Sequence, residues 1–286
     1  MRASPIARFE RSVSAGAAPR RLRQAWAVVR RDALIAMTYR FALSMRIASM
    51  AFFAVTIFYI SKLVNSAPEL AEYRGGYFEF AIVGIAVMSV GGLGVRNFAA
   101  SISGEQTAGT LELLLAAPLR VGTLLTGTFV VPLFITTVQL VGLLFVGIGV
   151  FGVGIPAERF LVVLPILLLT IVIFCAIGIV SAAFIVVTKR RDPSAAIFIQ
   201  VSGVLSGAIF PPALLPGWLV DAVQALPLYH SLEATRLVLL SGAGLGDVAT
   251  ELMVLLLFAV ALLPISLLIL VRALRLARVT GMLGTY

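Results

Sequence analysis

Long apolar segments with almost no charged residues recur along the chain and are separated by short polar connections. Residues 160–187 contain no Asp, Glu, Lys or Arg, and residues 252–271 are apolar on every face of a helix. A helix of about 20 apolar residues can cross the hydrocarbon core of a bilayer, which is about 30 Å thick. The pattern therefore predicts six membrane-spanning helices, at residues 44–64, 77–98, 127–150, 160–187, 195–210 and 252–271.

These segments predict helices rather than the strands of a membrane barrel, because such strands alternate apolar and polar residues over about ten positions. The composition agrees with a membrane protein: 60% of the residues are hydrophobic, 12% are charged, and the mean hydropathy is +1.08. Soluble domains contain about 25% charged residues, which excludes a water-soluble globular protein. We therefore expect an all-α polytopic membrane protein with a six-span domain over residues 44–271.

The basic residues lie mainly on one side of the predicted membrane. The chain has 22 Lys and Arg against 13 Asp and Glu. With a cytoplasmic N-terminus, all the basic residues except Lys62, Arg74, Arg159 and Arg236 fall on the cytoplasmic side. Cytoplasmic loops carry such an excess of Lys and Arg, so both termini are predicted to be cytoplasmic. Because this topology accounts for the net charge of +9, we expect no nucleic-acid partner.

The two ends of the chain differ in pattern from the spans. Residues 1–19 are rich in Ser, Ala, Pro and Arg and are expected to be disordered. In residues 20–43, apolar residues such as Leu22 and Trp26 recur at helical spacing. This predicts an amphipathic helix in the inner membrane interface, with its arginines near lipid headgroups; a cytosolic helix packed on a partner protein is the alternative. Residues 272–286 are predicted to form a basic cytoplasmic tail.

The polar connection between the second and third spans, residues 101–118, has the features of a short helix. Ser103 and Gln106 resemble a capping box at a helix start, and an apolar run follows them. With Glu105 and Glu112 on it, the segment is predicted to form an amphipathic helix across the cytoplasmic mouth of the bundle, where it can receive force from a soluble partner. The alternative is a plain connecting loop, which would not require this much apolar surface.

Prolines interrupt the chain after the fifth predicted span. Pro211 and the proline after it break the helix, and Pro216 and Pro227 bound an apolar stretch that is too short to cross a bilayer. Residues 211–230 are therefore predicted to form a re-entrant or interfacial helical segment at the outer surface. Trp218 is expected to anchor it there, because tryptophan favours the membrane interface.

No pattern along the chain indicates a catalytic, metal or nucleotide site. His230 is the only histidine, and its neighbours Ser231 and Glu233 are too close in sequence to converge with it on one point as a hydrolytic triad. A lone histidine is a poor metal site, and neither Lys62 nor Lys189 lies in a P-loop pattern. We therefore expect a non-catalytic chain that binds no metal or other cofactor itself.

The predicted spans contain small and weakly polar residues rather than ionisable residues at mid-membrane depth. Ionisable groups at that depth mark ion-coupled and proton-coupled carriers. The weakly polar residues either line a path for an amphipathic solute or pack helices against one another, and the packing alternative is favoured. The candidates for the path are Thr136, Gln139, Gln200, Ser202 and Ser206.

The cytoplasmic connection resembles the coupling helix of a known family, the permease subunits of type 2 ATP-binding-cassette (ABC) exporters. The chain departs from this family at Gly127-Thr128, where many members have Gly-Lys. The matching pattern is Glu105-x-x-x-Gly109-Thr110-Leu111-Glu112-Leu113-Leu114, followed by Pro118.

The proline-rich segment resembles the outer re-entrant segment of the same family. Together with the interfacial helix and the six predicted spans, it extends the resemblance over nearly the whole chain. The two signatures together are more specific than either one alone. The matching residues of this second signature are Pro211, Pro216, Trp218, Pro227 and Arg236.

The resemblance implies a half-transporter surrounded by membrane lipids in a prokaryotic plasma membrane. Two permease chains, as a homodimer, would work with two separate ABC ATPase subunits that bind ATP and Mg²⁺. It also implies outward transport of an amphipathic, drug-like, lipid or lipid-linked glycan substrate. The alternative hypotheses are an ATP-independent carrier or channel, an intramembrane enzyme acting on lipids, for which no nucleophile or metal cluster is found in the sequence, and a nonenzymatic membrane assembly factor. The residues implied to contact the ATPase are Glu105, Gly109, Thr110 and Glu112.

Overall fold

The computed structural model describes residues 40–64, 76–107, 137, 158–188, 192 and 194–279. This part of the chain consists of helices and short connections and contains no strand, which agrees with the all-α prediction. A 3-10 turn and a π-helical turn accompany seven α-helices in it. The elements are α1 (Arg40–Val64), α2 (Gly76–Thr107), α3 (Arg159–Thr188), α4 (Ser194–Leu205), the 3-10 turn (Pro212–Leu214), α5 (Gly217–Gln224), α6 (Pro227–Arg236), the π turn (Leu237–Ser241) and α7 (Ala249–Val279).

Three of the described helices are long and apolar enough to cross a membrane. They cover Gly76–Gly104, Arg159–Thr188 and Ala249–Leu276, which correspond to the second, fourth and sixth predicted spans. The apolar part of α1, Phe52–Leu63, is shorter. The third predicted span lies outside the described residues except for Thr137, which is helical. The count of six spans therefore stays a prediction.

The fifth predicted span, residues 195–210, ends earlier than its apolar pattern indicated. α4 has 12 residues, or about 18 Å at 1.5 Å per residue, which is shorter than a hydrocarbon core of about 30 Å. At its end the Gly207 N–H donates to the Val204 carbonyl oxygen at 3.2 Å, and the Ala208 N–H donates to the Gly203 carbonyl oxygen at 2.9 Å. Gly207 has a φ of 85°, the left-handed conformation that closes a helix and favours glycine.

α2 lies at the centre of the described bundle. It packs along α3, which also packs along α7, and α1 and α4 contact other parts of its surface. A Cβ on Gly178 of α3 would collide with the carbonyl oxygen of Gly94, and a Cβ on Gly94 would lie 2.7 Å from the backbone nitrogen of Cys175. Membrane helices commonly approach each other through such small residues, so the backbones of α2 and α3 are in direct contact here.

The outer surface of the described bundle is strongly apolar. α3 exposes Leu161 and Leu168, and α7 exposes Leu257 and Val260. A monomeric soluble protein rarely exposes a continuous apolar surface of this kind. These faces suit contact with lipid acyl chains and agree with a membrane-embedded protein.

α2 runs unbroken to Thr107, well beyond residue 98, where the second span was predicted to end. Phe98, at the predicted end, and Ile102, one turn further on, are buried in an apolar cluster with residues of α3 and α7. Leu270 and Leu274 are among the α7 residues of the cluster. This burial holds the extension of α2 in helical form, because most of the stability of a helix in a protein comes from its packed face.

The extension of α2 corrects the expected start of the coupling helix. The sequence pattern predicts a capping box at Ser103 and Gln106, but both residues lie inside α2, so this prediction is wrong. The reason is that the buried apolar residues of the preceding turns stabilise the helix through the positions where a new one would begin. Residues 108–118 and 1–39 lie outside the described part of the chain. The predicted tail, residues 272–286, begins within α7.

Candidate functional site

Arg236, the last residue of α6, is only 1% exposed. Its Nη2 donates hydrogen bonds to the carbonyl oxygen of Gly207 at 2.7 Å and to those of Phe80 and Ala208 at 3.3 Å each. Its guanidinium carbon lies 3.4 Å from the centroid of the Phe80 ring. We call this set of four residues, Arg236, Phe80, Gly207 and Ala208, the Arg236 clamp.

The Arg236 clamp joins three elements of the fold. Phe80 belongs to α2, Gly207 and Ala208 form the turn that ends α4, and Arg236 belongs to α6. A charged side chain at the centre of a membrane helix costs about 2.5–3.5 kcal/mol on insertion scales. Carbonyl acceptors, the partial negative charge at the end of a helix and an aromatic face all offset that cost. The clamp supplies all three.

A glycine on α2 permits the close approach of the α4 turn. A Cβ on Gly84 would collide with the carbonyl oxygen of Ala208 and would lie 2.7 Å from Nη2 of Arg236. Any larger residue at this position therefore displaces the turn or the guanidinium. Gly84 is a requirement of the clamp, although it makes none of its hydrogen bonds.

α6 and the π turn that follows it are each fixed to α3 at one point. The hydroxyl oxygens of Thr170 and Ser231 are 2.7 Å apart and buried, and Nη1 of Arg159 donates to the carbonyl oxygen of Leu239 at 3.2 Å. Along α3, Thr170 lies about 16 Å from Arg159, which is roughly half the thickness of a hydrocarbon core. α6 and the π turn therefore lie alongside a stretch of α3 that is about half as long as the hydrocarbon core is thick. Arg236 lies in the chain between Ser231 and Leu239, the two residues that make these contacts with α3.

A family model described as ABC-2 type transporter matches residues 23–240, a region that contains the whole clamp. The chain belongs to the ABC-2 type transporter family. This confirms the resemblance to type 2 ABC permeases, and it makes the chain the non-catalytic permease component of an ABC-type transporter. Permeases of this family usually work with an ATPase subunit. No curated protein matches the chain.

The predicted ATPase contacts of this permease lie at or beyond the Thr107 end of α2. Glu105 is in the last turn of the helix, whereas Gly109, Thr110 and Glu112 lie outside the described residues. Phe80 of the Arg236 clamp is on the same helix, about 38 Å from Glu105 along its axis. α2 thus connects the two segments that carry the resemblance to the family.

The five residues of the proline-rich signature, which were predicted to lie at the outer surface, are not gathered at one place in the structure. Pro211 is buried beyond the α4 turn, Pro216 precedes α5, and Pro227 is the first residue of α6. Trp218 is 74% exposed on α5. The structure places only Arg236 of these five residues in the clamp. The resemblance marked Arg236 as part of the segment, but it did not reveal the backbone carbonyls that Arg236 binds.

Of the predicted path residues, the three that the structure describes do not share one surface of the permease. Ser202 and Ser206, one turn apart, are buried, whereas Gln200 is exposed on α4. Whether these serines line a path or only pack helices stays a prediction. Thr136 and Gln139 lie outside the described residues.

Gln200 lines a groove of about 150 Å³ between α2 and α4, which we call the α2–α4 groove. The α2 residues that line it recur every three or four positions, so they lie on one face of the helix. This face was not among the predictions from sequence, although the spacing of its residues is a signal that is visible without a structure. The other lining residues are Ile85, Met88, Ser89, Gly92 and Arg96 of α2, and Ile199 of α4.

Ser231 and His230, two residues of the triad considered above, each have a backbone carbonyl as a partner in the described part of the chain. The Ser231 hydroxyl donates to the Pro227 carbonyl oxygen at 3.1 Å and contacts Thr170. Nε2 of His230 lies 2.9 Å from the carbonyl oxygen of Gln224. Within the described ranges, no group of three or more His, Cys, Asp or Glu can hold a metal ion.

Asp192 fixes the start of α4. Its Oδ1 accepts hydrogen bonds from the backbone N–H of Ser194 at 2.9 Å and from the Ser194 hydroxyl. Partial burial raises the pKa of Asp192, but hydrogen bonds, led by the one from the Ser194 side chain, lower it by more. The pKa of Asp192 is therefore below its usual value.

We expect Asp192→Ala to destabilise the permease by about 1 kcal/mol at neutral pH, as the loss of a helix-start acceptor typically does. Because the folded pKa lies below the unfolded value of about 3.9, the carboxylate stabilises fully above that pH. The contribution is lost as the pH falls through the folded pKa. Thermal unfolding of both proteins in detergent should show a smaller difference at acidic than at neutral pH. If the unfolding temperatures of the two proteins differed by the same amount at both pH values, the Asp192 carboxylate would not be the stabilising group.

Proposed function

We propose that this permease moves an amphipathic, drug-like, lipid or lipid-linked glycan substrate outward across a prokaryotic plasma membrane. Two permease chains, as a homodimer, work with two separate ATPase subunits that bind ATP and Mg²⁺. The observation that carries the proposal is that α2 is one unbroken helix joining the Arg236 clamp to Glu105. Because such a helix moves as one rigid element, a force applied at one end displaces the other end.

The packing of α2 supports this route. α2 cannot slide independently of α3, because the Gly94 and Gly178 backbones are in contact and packed interfaces resist continuous deformation. At its other end, the clamp ties α2 to the α4 turn and to α6. A displacement of the Thr107 end of α2 therefore moves the clamp and the segment from α4 to α6 with it.

The charge distribution supports the orientation of the proposal. The excess of Lys and Arg favours a cytoplasmic location for the Thr107 end of α2 and for both chain termini. In that orientation the Arg236 clamp lies in the outer half of the membrane, and α6 is a re-entrant helix entering from the outer surface. ATPase subunits would then act on Glu105 and on the residues implied by the resemblance: Gly109, Thr110 and Glu112.

We expect Glu105→Arg to lower the substrate-stimulated ATPase activity of the purified complex about tenfold, which corresponds to a loss of about 1.4 kcal/mol in coupling free energy. The reason is that reversing a charge at a contact replaces attraction by repulsion. The measurement compares ATP hydrolysis by complexes purified through a tagged permease and reconstituted in lipid nanodiscs.

Asp221→Arg is the matched control for this substitution. Asp221 is an exposed acidic residue on α5, in the segment proposed to face outward, so the same change of charge should leave ATP hydrolysis unchanged. Equal activity of the Glu105→Arg and wild-type complexes would exclude Glu105 from the contact. Gradient-driven transport by the permease alone in liposomes would instead support an ATP-independent carrier.

A further inference from the structure

The α2–α4 groove differs in polarity from one end to the other. From Ile85 to Arg96 it follows α2 for about 16 Å, with apolar side chains such as Met88 at one end and the exposed guanidinium of Arg96 at the other. Ser89 and Gln200 are its remaining polar side chains, and no carboxylate is among the described residues that line it. The described lining therefore carries one positive charge beside an apolar strip.

Arg96 is well placed to bind an anion. Its Nε donates to the carbonyl oxygen of Gly92 at 3.2 Å, which holds the side chain back along α2 toward the groove. A Cβ on Gly92 would lie 2.7 Å from Nη2 of Arg96, so glycine at this position leaves room for the guanidinium. A guanidinium binds carboxylate, sulfate or phosphate oxygens through paired hydrogen bonds.

We propose that the α2–α4 groove binds an amphipathic anion. Its phosphate, sulfate or carboxylate head lies on Arg96, next to the amide of Gln200, and the first part of its apolar chain lies along Met88 and Ile85. A cavity of about 150 Å³ holds a molecule the size of benzene, so the groove contains the head and the nearest carbons while the rest of the chain extends along the lipid-facing helices.

This inference deepens the proposed function, because it names the charge of the substrate class. It rests on the proposed function only for the step in which the bound molecule is transported. In the proposed orientation, Arg96 lies near the inner leaflet, at the depth where the anionic head of an amphiphile arrives before export. Binding itself is a separate property and can be measured without the ATPase subunits.

The test uses full-length permease in phosphatidylcholine nanodiscs and a dodecyl phosphate that carries a diazirine in its chain. After irradiation, peptide mass spectrometry measures labelling of α2 and α4. We expect unlabelled dodecyl phosphate to compete, and dodecyltrimethylammonium and inorganic phosphate not to compete. Repeating the labelling in phosphatidylglycerol nanodiscs distinguishes the sources of the anion: loss of labelling there assigns the groove to a resident lipid, and retained labelling assigns it to a single-chain solute.

Substitutions identify the groups that bind the probe. Arg96→Gln should weaken competition by dodecyl phosphate about tenfold or more, because hydrogen bonds to charged groups contribute about 1.5–3 kcal/mol. Arg96→Lys retains the charge and should retain most of the binding. Ile199→Trp fills the groove and should abolish labelling while Arg96 is unchanged. Arg272→Gln removes an exposed arginine of α7 and is the matched control. The probe should label this variant to the same extent as wild type.

The proposal is overturned if Arg96→Gln binds like wild type, or if dodecyltrimethylammonium competes as well as dodecyl phosphate. It is also overturned if the probe labels Ile199→Trp to the same extent as wild type. This comparison requires that the variant has the elution volume and the unfolding temperature of the wild type. Failure of the proposed function has a different signature, because labelling would then persist in a permease whose purified complex shows no ATP-driven transport. ATP-driven transport without specific labelling excludes the groove and leaves the proposed function standing.

Discussion

Replacing Arg236 with glutamine is expected to lower the unfolding temperature of the detergent-solubilised permease by about 10 °C, which corresponds to a loss of about 3–5 kcal/mol. The substitution leaves the carbonyl oxygens of Gly207, Ala208 and Phe80 without the charged donor that binds them. It also removes the guanidinium from the face of the Phe80 ring. Buried acceptors that lose their donor account for the largest effects of single polar substitutions.

Arg236→Lys tests whether the positive charge alone is enough or whether the planar guanidinium is also needed. Lysine keeps the positive charge but lacks the planar group that stacks on Phe80 and donates in several directions, so its unfolding temperature should fall between those of Arg236→Gln and wild type. Arg275→Gln removes an exposed arginine of α7 and should leave the unfolding temperature unchanged. An unchanged temperature for Arg236→Gln would show that the clamp does not stabilise the fold.

Gly84→Ala and Gly104→Ala are expected to shift stability in opposite directions, although they make the same change on the same helix. At Gly84 the new Cβ collides with the carbonyl oxygen of Ala208, and overpacking of this kind costs about 1–3 kcal/mol. At Gly104 no atom lies within 4 Å of the new Cβ. Alanine there gains up to about 1 kcal/mol from its higher helix propensity.

Thermal unfolding of the two alanine variants measures this difference directly. The same pair tests the mechanical role of the clamp, because Gly84→Ala should reduce ATP-driven transport by the reconstituted complex whereas Gly104→Ala keeps the clamp intact. If both variants unfold at the wild-type temperature, then the α4 turn does not depend on close contact with α2. If Gly84→Ala is destabilised but transports normally, the clamp is structural only.

The long helices were predictable from sequence because their signal is local. α2, α3 and α7 each carry enough consecutive apolar residues to cross a membrane, and composition alone shows this. The end of α2 was harder to predict. Ser103 and Gln106 match a helix-start pattern, but the burial of Phe98 and Ile102 against α3 and α7 decides the local structure.

The Arg236 clamp was not predictable for a different reason. Arg236 and Phe80 are 156 positions apart, and the acceptors are backbone carbonyls, which every residue type has. A sequence reveals which side chains can donate, but it does not show which carbonyls lie within their reach. Charge counting placed Arg236 with the few arginines of the outer side, and nothing in its neighbours indicated that it is buried.

The three carbonyl acceptors of Arg236 all precede it in the chain, and this has a consequence for biogenesis. When Arg236 leaves the ribosome, α2 and the α4 turn have already been synthesised. Every carbonyl acceptor of the clamp is thus already part of the nascent chain when the charge of Arg236 is added. The order of synthesis therefore leaves none of these three acceptors still to be made when Arg236 enters the membrane.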